Sequence, residues 1–263
     1  MTIPLTGDEG VRAVREWVGA AGRITALTGA GISTDSGLPD FRGPRGLWTL
    51  DPSGVRLSSL AAYLAEPDLR RRLWASLLEQ PVGRIEPNDG HRALAELGRS
   101  RSVTVVTQNV DGLHQLAGSD PARVIELHGS MRHVQCLSCG TRSGLGAVLE
   151  RVSRGDADPS CERCGGVLKP ATVAFGQPVR EPVLRAALAA ARECDVFLAI
   201  GTTLSVSPAV SVAAEAARHA ARLVIANGQP TTYDRFADAL LRGSITAVLR
   251  SVLSGPPGTG HGS

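Results

Sequence analysis

Residues 24–34 have the sequence Ile-Thr-Ala-Leu-Thr-Gly-Ala-Gly-Ile-Ser-Thr. Residues 24–27 form a short apolar run of the kind that makes a strand, and Gly29 and Gly31 follow it directly. Glycines after a strand allow the backbone to approach a pyrophosphate, whose charge is stabilised by amides and by the dipole of the next helix. Because Thr34 replaces the third glycine of the dinucleotide-binding fingerprint, the fragment alone is also compatible with a plain chain turn.

Similar apolar runs recur along the chain, at 103–106, 124–125, 196–200 and 223–226. Stretches with helical spacing at 181–192 and 209–221 lie between several of them, and the chain opens with an amphipathic helix around Val14. Uninterrupted apolar strands that alternate with helices are typical of a parallel sheet covered on both faces. We therefore predict an α/β fold with a doubly wound, Rossmann-like parallel sheet.

Two segments interrupt this alternation and predict a second, smaller lobe. Residues 49–90 form a helical insert in this interpretation, and residues 131–169 form an insert that carries four of the five cysteines. The remaining segments, 1–48, 91–130 and 170–253, make the nucleotide-binding core. We expect a cleft between core and lobe, and a disordered tail at 254–263, which is rich in glycine and proline.

Composition excludes several classes of protein. Among 263 residues, 43% are hydrophobic and 20% charged, which indicates a globular chain, and no apolar run approaches the ~18 residues of a membrane span. The N-terminal residues lack the basic flank and apolar segment of a signal peptide, so we expect a cytoplasmic protein without a membrane role. The 28 cationic residues are dispersed rather than clustered, which argues that no nucleic acid is required.

The cysteines predict a metal site. Cys136 and Cys139 form one Cys-x-x-Cys pair, and Cys161 and Cys164 form another. Four thiolates at this spacing are typical of one structural zinc ion with no open coordination position, although a redox dithiol uses the same motif. Cys194 has no partner and is expected to be a buried apolar residue. Since zinc ribbons also occur in proteins that only bind others, a non-catalytic binding module is an alternative to an enzyme.

Polar side chains follow two of the predicted strands. Asn109 and Asp111 come after the run at 103–106, and His128 comes after a strand at 124–127. The carboxyl ends of parallel strands meet at one edge of the sheet, where α/β proteins bind ligands. Taken singly, Asn109 and Asp111 are also common turn formers, and one histidine is more often structural than catalytic.

In their order and spacing, the motifs of this chain resemble those of the sirtuin family, the NAD-dependent protein-lysine deacylases, in a bacterial form whose subclass stays open. The matching stretches are 29–33, 39–43, 107–111, 128–129, the four cysteines, 169–176, 201–203 and Asn227. The resemblance extends from about residue 24 to residue 249. It implies that NAD binds as co-substrate between the core and a zinc-containing lobe, and that acyl-lysine enters from the opposite side.

The resemblance also implies the roles of individual residues. The expected NAD contacts are Gly29, Ala30, Gly31, Ile32, Ser33, Asp40, Phe41, Arg42, Trp48, Gln108, Asn109, Asp111, His128, Gly201, Thr202, Thr203, Asn227, Gln229 and Ile245. Asn109 and Asp111 would hold the nicotinamide beside an apolar wall made by Ile32, and Phe41 would keep water from the ribose. His128 would act as general base on a ribose hydroxyl, for which an imidazole is well suited near neutral pH.

By the same resemblance, Val173, Phe175 and Gly176 belong to the segment that binds the substrate peptide by strand addition. Gln177 stands where the family often has glutamate, and Thr203 where it often has serine. Both replacements keep hydrogen-bonding capacity, so we expect activity to survive.

The Tyr-x-x-Arg pair of sirtuins that remove acidic acyl groups is missing. Tyr63 is followed three positions later by Glu66, and Trp74 by Leu77. We therefore expect acetyl to be preferred over succinyl or malonyl. The resemblance implies that the reaction releases nicotinamide and O-acyl-ADP-ribose. The substrates would be acyl-lysine proteins, and a monomer is favoured.

Two other classes of enzyme also use NAD. A hydride-transferring dehydrogenase needs the third glycine of the fingerprint, and Thr34 stands in its place. A protein ADP-ribosyltransferase on the same scaffold is the remaining alternative, because it would use the same cleavage of NAD with another acceptor.

Overall fold

The chain alternates strands and helices along most of its length. The computed structural model describes residues 3–43, 46–50, 54–79 and 85–253. The strands are β1 (Arg23–Thr28), β2 (Ser102–Thr107), β3 (Val124–Glu126), β4 (Gly129–Cys136), β5 (Arg142–Gly144), β6 (Leu168–Thr172), β7 (Val196–Ile200), β8 (Arg222–Ala226) and β9 (Ala239–Leu241). The helices are α1 (Gly7–Ala20), α2 (Leu47–Leu50), α3 (Gly54–Leu57), α4 (Leu60–Ala65), α5 (Pro67–Glu79), α6 (Asp89–Ser100), α7 (Leu113–Leu116), α8 (Leu145–Ser153), α9 (Glu181–Glu193), α10 (Ala209–Arg218) and α11 (Ile245–Leu253). Within these ranges, no helix has the length and apolar character needed to cross a membrane.

The central sheet has six parallel strands in the order β3-β2-β1-β7-β8-β9. From β1 the chain builds outward through β2 and β3 on one side, and later through β7, β8 and β9 on the other. The loops after β1 and β7 therefore leave the sheet in opposite directions, and a crevice opens between them at the carboxyl ends of the strands. The doubly wound sheet expected from the sequence is confirmed.

Strand β7 shows why the central strands are apolar without interruption. Val196, Leu198 and Ile200 pack in the core cluster beneath α1, α6 and α11. Phe197 and Ala199 point to the opposite side and pack beneath α9 and α10. A strand buried on both faces leaves no position for a polar side chain, so the alternation typical of half-exposed strands is absent.

A smaller lobe contains both inserts. Its antiparallel sheet has the order β5-β4-β6, and α5 and α8 pack together against it. Trp74 and Leu77 of α5 share a buried cluster with Val134 of β4 and Val148 of α8. The two inserts therefore fold as one lobe, as expected. The domain limits that we placed at 130/131 and 169/170 fall inside β4 and β6, whose ends pair at Gly129 and Thr172; residues 254–263 lie outside the described part.

Candidate active site

A cavity of about 1940 Å³ lies at the carboxyl ends of the central strands and reaches the smaller lobe. Among the residues predicted from the sequence, it is lined by Gly29, Ala30, Gly31, Ser33, Asp40, Phe41, Arg42, Gln108, Asn109, Asp111, His128, Val173, Phe175, Gly176, Gly201, Thr202, Thr203, Asn227, Gln229 and Ile245. The structure thus brings side chains from widely separated stretches of sequence to one cleft between core and lobe.

Among the described residues of the predicted set, Ile32 is placed differently from the others. Ile32 is 1% exposed and packs in the core cluster of α6 and α11, because the 3-10 turn Ala30–Ile32 directs its side chain inward. The role of Ile32 as an apolar wall of the nicotinamide pocket stays a prediction. Trp48 belongs to α2, and its side chain lies outside the described part of the chain.

The glycines of the first loop are required by packing between the loops after β1 and β7. Gly31 donates its amide to the Gly201 carbonyl at 2.9 Å. A Cβ added at Gly29 would lie 2.7 Å from the Gly201 oxygen, and one added at Gly31 would lie 2.8 Å from the Gly201 Cα. Gly201 itself has a φ of +59°, a left-handed conformation that favours glycine. Close approach of protein backbone is thus sufficient to explain these glycines, whether or not a pyrophosphate also approaches them.

Asn109 lies at the centre of a hydrogen-bonded group on the cavity wall. Its Nδ2 donates to the Gly29 carbonyl and to Ser33 Oγ, both at 3.1 Å. Ser33 in turn donates to Asp111 Oδ2 at 2.8 Å, and Asp111 Oδ1 accepts the amide of Leu113 at 2.9 Å. Since the side-chain amide is held on its donor side, Asn109 has a defined orientation at the edge of the cleft.

Two residues behind this group were not singled out as functional from the sequence. Ring atom Nε2 of His91 lies 3.4 Å from Ser33 Oγ, and burial lowers the pKa of His91 to about 4. Asn88 begins α6 as its capping residue and donates to the Ile32 carbonyl at 2.7 Å and to Ser36 Oγ at 3.0 Å. Asn88 therefore ties the loop after β1 to α6. The sequence feature that could have drawn attention to both residues is the helix-capping pattern Asn88-x-x-His91.

The hydrogen bonds of His128 define its basic atom. Nδ1 lies 2.9 Å from the Gln108 carbonyl oxygen. A carbonyl can only accept, so Nδ1 carries the proton and Nε2 holds the free lone pair of the neutral ring. Burial lowers the pKa of His128 below its ordinary value of 6.5, which keeps the imidazole neutral and able to accept a proton at neutral pH.

The segment after β6 connects His128 with the smaller lobe. The Val173 amide donates to the His128 carbonyl at 2.8 Å. The Phe175 amide donates to the Ser58 carbonyl at 2.7 Å, and the Phe175 carbonyl accepts the Leu60 amide at 3.0 Å. The phenyl ring of Phe175 remains 40% exposed on the cavity. This segment is thus held on both sides, with its apolar side chain presented to the cleft.

The far end of the cavity lies beyond β8. Asn227 is buried and donates through Nδ2 to the Gln229 carbonyl at 2.8 Å. Arg242, which was not predicted, donates to the carbonyls of Asn227 and Gln229 at 2.9 and 3.0 Å and also pairs with Asp234. Arg242 therefore holds the loop that carries both predicted contacts.

The cysteine cluster fits a tetrahedral metal ion. The four thiol sulfurs, of Cys136, Cys139, Cys161 and Cys164, lie within 4.8 Å of one another. Two of the sulfur pairs are separated by 3.5 and 3.7 Å, close to the edge of about 3.8 Å in a tetrahedron with zinc–sulfur bonds of about 2.3 Å. Four sulfur donors suit zinc and leave no site for a substrate. Cys194 is buried in the core beneath α9, as expected.

Comparison with known proteins agrees with this geometry. Residues 29–208 match the model of the Sir2 family. The chain belongs to the Sir2 family. A relative from Streptomyces coelicolor, NAD-dependent protein deacetylase 2, is 47% identical over 233 residues, which make up 88% of this chain and 97% of the relative.

Solved Sir2 structures share the whole fold. One, described as the basis of the mechanism and regulation of Sir2 enzymes, is 36% identical with a TM-score of 0.84 and covers 94% of this chain and 97% of its own. Another, of Sir2 with a p53 peptide and NAD⁺, is 28% identical with a TM-score of 0.81 and covers 92% and 96%. The sirtuin resemblance that the sequence motifs indicated is confirmed.

Proposed function

We propose that this Sir2-family enzyme removes acyl groups from protein lysines with NAD as co-substrate, and that His128 and Asn109 carry the reaction. One observation carries the assignment of these residues. The free Nε2 of His128 and the oriented amide of Asn109 line the same cavity, at the loops where a doubly wound sheet binds nucleotides.

The residues present fit a dinucleotide. The loop at Ala30, Gly31 and Ser33 would lie against the pyrophosphate, with the Ala30 amide as a donor, because the Gly31 amide and the Ser33 hydroxyl already donate to Gly201 and Asp111. Arg42 would add charge-assisted hydrogen bonds. Buried Thr202 and Asn227, at the ends of β7 and β8, would contact the riboses of NAD. When bound, NAD supplies the ribose carbon whose bond to nicotinamide is broken.

The side chains of this chain then have separate tasks. Asn109 and Asp111 hold the departing amide, and their fixed hydrogen bonds to Ser33 keep that pocket in place. His128 accepts a proton from a ribose hydroxyl at Nε2. Phe41, which lines the cavity, excludes water from a site where hydrolysis would compete with acyl transfer.

The acyl group is proposed to be small and uncharged, with nicotinamide and O-acyl-ADP-ribose as products. Trp74 and Leu77, one of the two pairs at this spacing that lack the arginine, are buried in the apolar cluster of the smaller lobe. Lys169 also lines the cavity, but its Nζ donates to the carbonyls of Pro170 and Thr172 at 2.9 and 2.5 Å. A carboxylate on the acyl chain would therefore have to compete for that ammonium.

The thiols support a structural zinc ion and a cytoplasmic location. The zinc ion would hold β4, β6 and the turns between them without contacting substrate, because its four sulfur ligands complete the tetrahedron. Thiols that bind zinc persist in a reducing compartment, which supports a cytoplasmic protein. Acyl-lysine proteins are its proposed partners, with a monomer as the working unit.

The test is a coupled assay of purified protein with NAD and an acetyl-lysine peptide. We expect nicotinamide release and lysine deacetylation to proceed in equal amounts, and His128→Ala to abolish both. His133→Ala is the matched control, because His133 is an exposed histidine on β4 and should leave both rates unchanged. Transfer of label from NAD to protein without deacetylation would instead support the ADP-ribosyltransferase alternative.

A further inference from the structure

His114 of α7 is a buried side chain to which the proposed reaction assigns no role. It is 1% exposed and lies behind the cavity wall. Its Nε2 lies 2.9 Å from Thr28 Oγ1, and its Nδ1 has no hydrogen-bond partner among the described residues. Thr28 is fully buried at the last position of β1.

A chain of hydrogen bonds leads from His114 to the active site. Thr28 Oγ1 lies 2.8 Å from Thr107 Oγ1, and the two threonines are paired at the ends of β1 and β2. Thr107 Oγ1 accepts the backbone amide of Asn109 at 3.0 Å. The imidazole is thus linked through two hydroxyl groups to the residue that orients the nicotinamide side of the cleft.

The direction of the hydrogen bonds follows from the unpartnered ring atom. If Nδ1 carried the proton, a buried N–H donor would have no acceptor, which is rarer and more unfavourable than an unused lone pair. We therefore place the proton on Nε2, so that His114 donates to Thr28. The Thr28 hydroxyl then donates to Thr107, which also accepts from Asn109. Burial lowers the pKa of His114 to about 3, so this arrangement persists over the working pH range.

The turn held by this chain carries two functional contacts. It supplies Asn109, and the carbonyl of Gln108 is the group that orients His128. The Gln108 amide is itself bonded to the Thr28 carbonyl at 2.9 Å. A small shift of Thr28 or Thr107 would therefore move Asn109 and the partner of His128 together, while the substrate segment at Phe175 is held by other contacts.

We propose that His114 is a positioning residue that acts through Thr28 and Thr107 to hold the turn at Asn109 in the geometry required for nicotinamide cleavage. The assignment to that step rests on the proposed function. A positioning role differs from a packing role in its consequences. If His114 positions the turn, loss of one hydroxyl group from the chain of hydrogen bonds should affect catalysis more than stability.

The first experiment uses Thr28→Val, which keeps the side-chain shape and removes the hydroxyl. Misplacement of reacting groups by about 1 Å can slow an enzyme about 100-fold, so we expect kcat to fall by about tenfold or more. Exchange of free nicotinamide into NAD should fall in parallel, while the KM for the acetyl peptide stays within about twofold. Thr28→Ser should restore both rates.

Thr25→Val is the matched control. Thr25 lies on the same strand, is equally buried and donates its hydroxyl to the Ala190 carbonyl at 2.9 Å, away from the cleft. It should lower the melting temperature about as much as Thr28→Val does, with kcat unchanged. If both variants lose activity in proportion to their melting temperatures, or if neither loses activity, the proposal is overturned.

The histidine is tested with a conservative pair. His114→Gln places an amide donor near the position of Nε2 and should keep most of the activity, whereas His114→Leu should behave like Thr28→Val. Equal activity of the two would overturn the role of the imidazole. Amide hydrogen exchange provides a readout that does not need turnover: exchange at residues 107–109 should rise in Thr28→Val and stay unchanged in Thr25→Val.

These readouts separate the two levels of inference. Wild-type protein that releases no nicotinamide would contradict the proposed function, but the hydrogen-exchange comparison would still decide whether His114 and Thr28 hold the turn. Active wild-type protein with an unchanged turn in Thr28→Val would contradict the positioning role alone.

Discussion

The protonation state of His128 sets the pH range in which the proposed reaction proceeds. Nδ1 donates its proton to the Gln108 carbonyl, so Nε2 is the atom that acts as base, and it must be unprotonated to do so. Because burial lowers the pKa of His128, the ring becomes protonated only below its ordinary value of 6.5. We expect kcat to be level near neutrality and to fall in acid with a midpoint below 6.5, as measured in a pH profile at saturating substrates. A midpoint above 6.5 would show that another group controls the step.

At the scale of residues, the sequence predicted which polar side chains line the cavity better than it predicted how buried side chains pack around it. His128, Asn109 and Asp111 could be placed at one edge because each follows a strand, and the structure brings them to one cavity. The burial of Ile32 could not be predicted, since it depends on packing against residues of α6 and α11 that are distant in sequence. The contact of His91 with Ser33 could not be predicted either, because helical spacing does not show which loop a buried side chain faces.

At the scale of elements, Arg70 of α5 connects the helical insert to the zinc-containing insert. Its guanidinium makes two-pronged contact with Asp158 at 2.8 to 3.0 Å, and it donates to the carbonyls of Tyr63 and Leu64 at 3.0 and 3.2 Å. The side chain is only 10% exposed. Removing one partner of a buried ion pair leaves the other charge unpaired, so Arg70→Met should destabilise the protein by about 3 kcal/mol in urea unfolding.

The neighbouring residue Arg71 is the control for this ion pair. It contacts Asp68 on the surface, with its side chain 53% exposed. Exposed ion pairs contribute about 0 to 1 kcal/mol, so Arg71→Met should change stability by no more than this. Similar losses in Arg70→Met and Arg71→Met would mean that the contact with Asp158 does not hold the two inserts together.

The zinc site is the second connection within the smaller lobe. Cys136 and Cys161 are buried in the same cluster as Trp74 and Leu168, so the metal ligands also form part of the lobe's core. We expect Cys136→Ser to lose bound zinc and to lower the melting temperature by roughly 10 °C or more. Metal content by atomic absorption and a thermal melt test this. Cys194→Ala is the control and should keep one zinc per chain; if it also loses zinc, the assignment of the four ligands is wrong.

Elements of the core could be predicted from the sequence, whereas those of the smaller lobe largely could not. β7 is buried on both faces, and its five apolar residues identify it. β5 is exposed throughout, and β4 has no regular alternation of buried and exposed positions, so neither carries a pattern. α8 begins between Gly144 and Gly146 and owes its stability to packing on α5 and β4 rather than to helix propensity.

At the scale of the whole molecule, the site depends on loops that the sheet topology brings together. The loop after β1 packs against the loop after β7 through Gly31 and Gly201. The turn after β2 is bonded to β1 through Thr28 and Thr107. No single stretch of sequence contains this arrangement, since the partners are separated by 79 or more residues along the chain. The order of strands therefore brings these three loops together in one cleft.

The same arrangement buries two histidines, and the stability of the whole chain should reflect this in acid. Burial lowers the pKa of His91 to about 4 and that of His114 to about 3, below the ordinary value of 6.5 in the unfolded chain. At a pH between the folded and the unfolded pKa values, each histidine is protonated in the unfolded chain and neutral in the folded protein. The free energy of unfolding should therefore fall as the pH drops from about 6.5 to about 4, by up to about 1.4 kcal/mol per pH unit for each histidine.

Urea unfolding at a series of pH values tests this prediction. Well above pH 6.5 both imidazoles are neutral in both states and contribute no slope. His114→Gln should be less sensitive to acid than the wild type, because one of the two groups no longer takes up a proton on unfolding. His133→Gln is the control, since His133 is exposed on β4 in the folded state. If His114→Gln and the wild type lose stability in parallel between pH 6.5 and 4, His114 is not held neutral by the fold.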